Sequence, residues 1–151
     1  MDFEIIIRNA KEEDAQTIAN FQLAMALETE NLKLNNTILE NGVKAVFTDS
    51  TKGKYYVAEC NGEIIGSLLT TYEWSDWRNS TVLWIQSVYV MPEYRQHGVF
   101  KKLYNHIESI WKSDKKYAGI RLYVDKTNQK AINVYNKVGM NGEHYQLFEI
   151  M

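Results

Sequence analysis

The sequence has one cysteine and one proline in 151 residues, and each scarcity excludes something. A lone thiol, Cys60, rules out an intramolecular disulfide framework and any cysteine-rich zinc site. The three histidines, His97, His106 and His144, show no metal-ligand spacing, so no metal is expected. No apolar run approaches the roughly 20 residues of a membrane span. The opening stretch MDFEIIIRNAKEED has neither the basic lead-in nor the apolar core of a leader. The expectation is a cytoplasmic protein, in which the glycosylation-type triplets at Asn35 and Asn79 are chance matches. A formal net charge of -2 and a pI of about 5.9 leave no excess of basic charge. Neither nucleic acid nor membrane is therefore an expected partner, while a local basic patch for one small anion stays open. The P-loop, the dinucleotide fingerprint and the G-x-S-x-G nucleophile elbow are all missing.

What is present is a globular composition, 45% hydrophobic, with no repeat and no Pro/Gly/Ser-rich linker, so a single domain over residues 1–151 is expected. FEIIIR reads as a strand, and Asn9 with Glu12 has the spacing of a capping box for a helix that presents Ile18, Phe21 and Met25 on one face. A polar loop and a shorter helix follow, ending near Gly53. KYYVAEC and EIIGSLLTTYEW flank Asn61-Gly62, the dipeptide favoured where both central turn residues need positive φ, and predict a hairpin. TVLWIQSVYVM reads as a strand, and the residues after Gly98 as a helix with Val99, Leu103, Ile107 and Ile110 on one face. GIRLYV predicts a strand, NQKAINVYNKVG a helix and EHYQLFEI a last strand. The order β-α-α-β-β-β-α-β-α-β implies an α/β (α+β) fold with a mixed, mostly antiparallel central sheet and helices on both faces.

The stretch VYVMPEYRQHGVF carries the chemistry. Pro92 cannot donate to a ladder and holds Met91 extended, so the strand ends there. Arg95, Gln96, His97 and Gly98 then lie at the start of a helix, whose first turn leaves N–H groups unpaired and carries partial positive charge. Glycine there allows close approach to the backbone, and Arg95, Lys101 and Lys102 add charge, so the turn reads as an anion site, for phosphate. An ordinary strand–turn–helix with solvated cations is the alternative.

The same stretch resembles the acetyl-CoA-binding motif of the GNAT superfamily of N-acetyltransferases, V-x-V-x-P-x-x-R followed by R-x-x-G-x-G/A. Arg95 and Gly98 match, and Phe100 stands where that family has Gly or Ala. Downstream, LYVDKTNQKAINVYNKVGM resembles a second stretch of that family through Asn128, Ala131, Tyr135, Lys137 and Gly139, with Met140 in place of an aromatic residue. The resemblance spans essentially the whole chain. It implies an N-acetyltransferase with acetyl-CoA as donor and no metal, transferring directly to an amine in a ternary complex, a small-molecule amine rather than a protein. Relatives in that family are often dimers, so a homodimer is in keeping with it, although no segment marks the interface.

The resemblance also implies roles. The backbone of Val88, Tyr89 and Val90 would pair with the pantetheine arm like an added strand. The N–H groups of Gln96, His97, Gly98, Val99 and Phe100 would take the pyrophosphate, and Asn128 and Lys137 belong to the same cofactor set. An N–H freed by a splay of the strand, at Val88 or Tyr89, would polarise the thioester carbonyl. Tyr135 would be the acid for the leaving thiolate, since a phenol of pKa about 10 stays protonated at neutral pH. Ala131, Val134, Tyr135 and Val138 share a helical face, so a core role for Tyr135 is the competing reading. An ammonium acceptor also needs a base. Polyamine-acetylating relatives carry acidic residues where this chain has Gln86 and Ser87, which speaks against a polyamine, and Glu73 is the substitute, against a solvated loop carboxylate. Glu28 and Glu30 could face an incoming amine, and Trp74, Trp77 and Trp84 could wall its pocket or simply pack. Gln86 and Phe100 leave a catalytically weakened CoA-binding or regulatory module as the alternative.

Overall fold

The computed structural model describes residues 3–151, which form two compact units divided after Arg121. The first unit holds a five-stranded sheet in the order β1-β2-β3-β4-β5. The strands are β1 (Ile6–Asn9), β2 (Lys54–Cys60), β3 (Glu63–Ser75), β4 (Ser80–Val90) and β5 (Tyr117–Arg121). All neighbours are antiparallel except β4 and β5, which are parallel and joined by a helical crossover.

Three helices belong to this unit: α1 (Ala15–Glu30), α2 (Asn36–Thr48) and α3 (Val99–Ser113). One apolar layer contains Ala15, Ile18 and Ala19 of α1, Val43 of α2, and Tyr55, Val57 and Leu69 of the sheet. On the opposite face, α3 buries Val99, Leu103 and Ile107, and His106 meets the Tyr56 ring edge-on at 5.4 Å. The alternation of Tyr55 and Tyr56 to opposite faces is the period-two geometry of a strand.

Turn chemistry fixes several boundaries. Asn61 and Gly62 take φ of 51° and 80°, the primed turn expected of this dipeptide, and close the β2–β3 hairpin. Asn35 caps α2 by accepting the Ile38 N–H at 3.0 Å. Asn9, in contrast, does not cap α1. It pairs with Tyr56 in the ladder, a 3-10 turn at Glu12–Asp14 intervenes, and the helix begins at Ala15. The start is held instead by Asp14, whose carboxylate accepts the Lys11 N–H at 2.7 Å and Arg8 at 2.8 Å. A buried carboxylate is retained there because a guanidinium satisfies it.

The second unit, residues 122–151, has one regular element, α4 (Gln129–Lys137), capped by Asn128, whose side chain accepts the Ala131 N–H at 3.1 Å. The expected order is thus met from β1 to α4, while residues 143–150, expected as a last strand, form no strand among the described residues. An alternating pattern specifies a strand only where an edge accepts it, and α4 offers this unit none. Phe148 and Ile150 accordingly remain 87% and 98% exposed.

Candidate active site

The site begins with an irregularity in β4. Ser67 of β3 pairs with Tyr89, and Leu69 pairs with Gln86, so Leu68 alone faces both Ser87 and Val88. Ser87 absorbs the extra residue with φ of 55°. This is a β-bulge, which takes backbone groups out of the ladder and bends the strand. On its other edge β4 is paired with β5 only from Thr81 to Trp84, and the β4–β5 ladder ends at Trp84 and Arg121. The stretch from Ile85 to Val90 therefore carries a bulge on one edge and lies beyond the end of the β5 ladder on the other.

Gly66 lies beside the bulge. A Cβ there would sit 2.9 Å from Tyr89 O, 3.5 Å from Val99 Cγ1 and 3.6 Å from Val90 Cα. Glycine is needed because β3, the end of β4 and the start of α3 converge on that point.

After Val90 the chain turns through the 3-10 segment Pro92–Tyr94, and Gln96 and Gly98 adopt φ of 67° and 77° before α3 starts. The first helical bond runs from the Lys102 N–H to Gly98 O at 3.1 Å. The N–H groups of Gln96, His97, Gly98, Val99 and Lys101 reach no backbone carbonyl among the described residues. Residues of positive φ next to a helix start make a concave row of donors, an anion nest. Among the described residues nothing lies within 4 Å of the position a Gly98 Cβ would take, and the exposed Lys101 and Lys102 add positive charge. Phe100 is half-buried with its ring 6.2 Å from that of Tyr104.

Arg95 is held by groups upstream of the row. Its guanidinium is turned away from the nest: Nε donates to Val90 O at 2.8 Å and Nη2 to Glu28 Oε2 at 2.8 Å, with the group 5.3 Å above the Tyr89 ring. Tyr89 stacks on Phe21 of α1 at 5.0 Å and its hydroxyl approaches Glu28 Oε1 at 3.4 Å. Burial first, and then the Glu28 carboxylate, push the Tyr89 phenol above its ordinary value. The last turn of α1 is thereby tied to the end of β4.

Glu73 lies at the far end of the β3–β4 hairpin from the bulge. It pairs with Val82, six residues before Val88, which at about 3.3 Å per residue is roughly 20 Å along the strand from the bulge. Its Oε1 accepts Trp84 Nε1 at 3.0 Å and Arg121 at 2.7 Å, and those bonds, Trp84 first, hold the carboxyl below its usual value. The carboxylate therefore lies well along the strand from the bulge, with two donors favouring its charged form. Trp74 and Trp77, at the same far end of the hairpin, are 63% and 90% exposed and wall no pocket at the bulge.

In the second unit, Tyr135 lies on α4, half-buried, and burial raises its phenol. Asn128 is engaged as the α4 cap and Lys137 is exposed in its last turn. No group of three or more His, Cys, Asp or Glu among the described residues could hold a metal, and no helix among them is long and apolar enough to cross a membrane. Sequence reasoning missed Gly66 and the direction of Arg95. A glycine inside an otherwise β-rich run was the available signal for the first, and no local signal marks the second.

A sequence model of the acetyltransferase (GNAT) family matches residues 20–140. Thialysine N-epsilon-acetyltransferase of Mus musculus is 31% identical over 142 residues, 88% of this chain and 82% of that protein. The protein of the same name from Sus scrofa is 30% identical over 144 residues, with 89% and 83% covered. A crystal structure described as a possible acetyltransferase from Clostridium difficile 630 superposes with a TM-score of 0.91 at 44% identity, covering 97% of each chain.

Proposed function

The chain belongs to the acetyltransferase (GNAT) family and is an acyltransferase, and from that premise we propose that it moves the acetyl group of acetyl-CoA directly to a cationic small-molecule amine. The family match runs across the division at Arg121, so the two units are read as one functional domain. The observation that carries the reading is the bulge at Ser87–Val88 leading into the row of N–H groups at Gln96, His97, Gly98, Val99 and Lys101.

Acetyl-CoA supplies a thioester-activated acetyl group and two ends to hold, a diphosphate and an amide-rich arm. The donor row fits the first, since the N–H groups of Gln96, His97, Gly98, Val99 and Lys101 reach no backbone carbonyl and no atom crowds Gly98 among the described residues. The edge of Val88, Tyr89 and Val90, beyond the β5 ladder and with Val90 O held by Arg95 Nε, fits the second, as amides pair with a strand edge. A bulge N–H at Val88 or Tyr89 would stabilise charge developing on the carbonyl oxygen, worth about 2.7–4 kcal/mol in comparable sites. Tyr135, like any phenol, keeps its proton at neutral pH, burial favours that form further, and it is the state a donor to a leaving thiolate requires. Phe100 contributes its backbone N–H while its ring lies toward Tyr104. The relatives named for thialysine make a lysine-like amine the first acceptor to try.

The test is a calorimetric titration with acetyl-CoA, ATP being the anion control, followed by thiol release with thialysine. The expected result is micromolar acetyl-CoA binding without comparable ATP binding, and turnover that Tyr135→Phe lowers at least tenfold while binding is kept. Binding without turnover for any amine would turn the reading into a CoA-binding module. No binding would remove it.

A further inference from the structure

Glu28 and Arg95 are 67 residues apart in sequence and form an ion pair of 2.8 Å between the end of α1 and the entrance to the donor row. Both side chains are partly open to solvent, 39% and 43% exposed, so neither is committed to the core. Glu28 lies in the last turn of α1, where the helix dipole already favours cations, with Glu30 exposed at the same end. Its other oxygen faces the Tyr89 hydroxyl at 3.4 Å, one tyrosine side chain from the bulge. Arg95 holds three contacts that all point back along β4, toward Val90 O, Tyr89 and Glu28. Yet its Cα adjoins Gln96, the first member of the N–H row. The side chain thus stands between two anion positions, the carboxylate that it holds and the row that begins at the next residue.

We propose that Glu28 is the carboxylate that receives the acceptor's ammonium group, and that Arg95 covers it until a diphosphate in the donor row draws the guanidinium away. The inference rests on the acetyl-CoA reading above. In the free protein the guanidinium occupies the position an ammonium would take, satisfying Glu28 and shielding it from stray amines. Occupation of the row by a diphosphate offers Arg95 a doubly charged, bidentate partner. Glu28 is then left with one unsatisfied negative charge beside the bulge, and an amine replaces the guanidinium charge for charge. Cofactor and amine then favour each other's binding, because each relieves the same pair.

The coupling can be read without any acceptor. Breaking an exposed ion pair opposes CoA binding by a small amount, so Glu28→Gln, which removes the competitor, should tighten CoA binding about two- to five-fold by calorimetry. In an Arg95→Met background the same substitution should leave CoA affinity unchanged. With thialysine as the probe acceptor, Glu28→Gln should raise KM about tenfold or more, the value of one charge-assisted bond, with kcat changed less. A Glu28→Gln protein of native circular dichroism that binds CoA no tighter than wild type would overturn the proposal, as would equal tightening in both backgrounds. Wild-type protein that fails to bind CoA removes the acetyltransferase mechanism and this inference together. Wild-type protein inert to thialysine counts against that acceptor alone, and the CoA comparison then decides.

Discussion

Gly66→Ala tests the convergence of β3, β4 and α3 with one methyl group. Gly66 needs no unusual backbone angle, so the effect is steric. The added carbon would meet Tyr89 O at 2.9 Å, closer than side-chain carbons approach backbone oxygens in folded proteins, and Val99 Cγ1 stands at 3.5 Å behind it. Neither neighbour is the loose end of a flexible chain: one is ladder backbone and the other is the buried first residue of α3. The end of β4 must move by a few tenths of an ångström, and overpacking of this kind costs about 1–3 kcal/mol. In a chain of this size each kcal/mol lowers Tm by about 2–4 °C. The displaced residue directly follows the bulge, and positional errors of about 1 Å at a reacting centre cost up to 100-fold, so a loss of about tenfold in kcat is expected for a smaller shift. Urea denaturation gives the stability and thiol release gives the rate. A variant within 0.5 kcal/mol and twofold of wild type (the routine scatter of surface substitutions, about ±0.5 kcal/mol) would refute the claim that this contact fixes the strand.

The remaining predictions concern two carboxylates. Asp14→Asn should destabilise the protein by about 2–3 kcal/mol at neutral pH, because its carboxylate is buried and accepts both Arg8 and the Lys11 N–H. Arg8 chiefly holds the Asp14 carboxyl below its usual value, so this contribution is full above the unfolded pKa of about 3.9 and fades as pH falls through the lower folded value. Urea midpoints of wild type and variant should therefore converge below about pH 4, and a constant gap would sink the linkage. Glu73→Gln should leave acetyl transfer within about twofold, since the residue is some 20 Å from the bulge by strand rise; a hundredfold loss would restore it as the base.

Much of this was legible in the chain. Asn61-Gly62 predicts a primed turn because only residues tolerant of positive φ close a two-residue hairpin, and both have it. Val99, Leu103 and Ile107 predict the buried face of α3 by spacing alone, and all three are buried. Pro92 ends β4 and Gly98 opens α3, which locates the donor row to within a residue. Each of these is a local rule about a backbone angle, a missing donor or a periodicity, and local rules are written in consecutive residues.

What the tertiary structure decided depends on partners distant in sequence. Register sets Glu73 against Val82 and not near Val88, and no composition or motif carries register. The bulge exists because β3 spends one residue where β4 spends two, a property of the pair and not of either strand. Arg95 reads as a phosphate ligand from its neighbours, and in the structure a carboxylate 67 residues earlier holds its guanidinium, a pairing across space that no neighbouring residue announces. Residues 143–150 alternate like a strand but have no edge to pair with in their own unit. The sequence by itself determined which elements form and where the anion-binding turn lies; only folding determined which side chains meet there, since hydrogen bonds and ion pairs act over a few ångströms in space, whatever the separation along the chain.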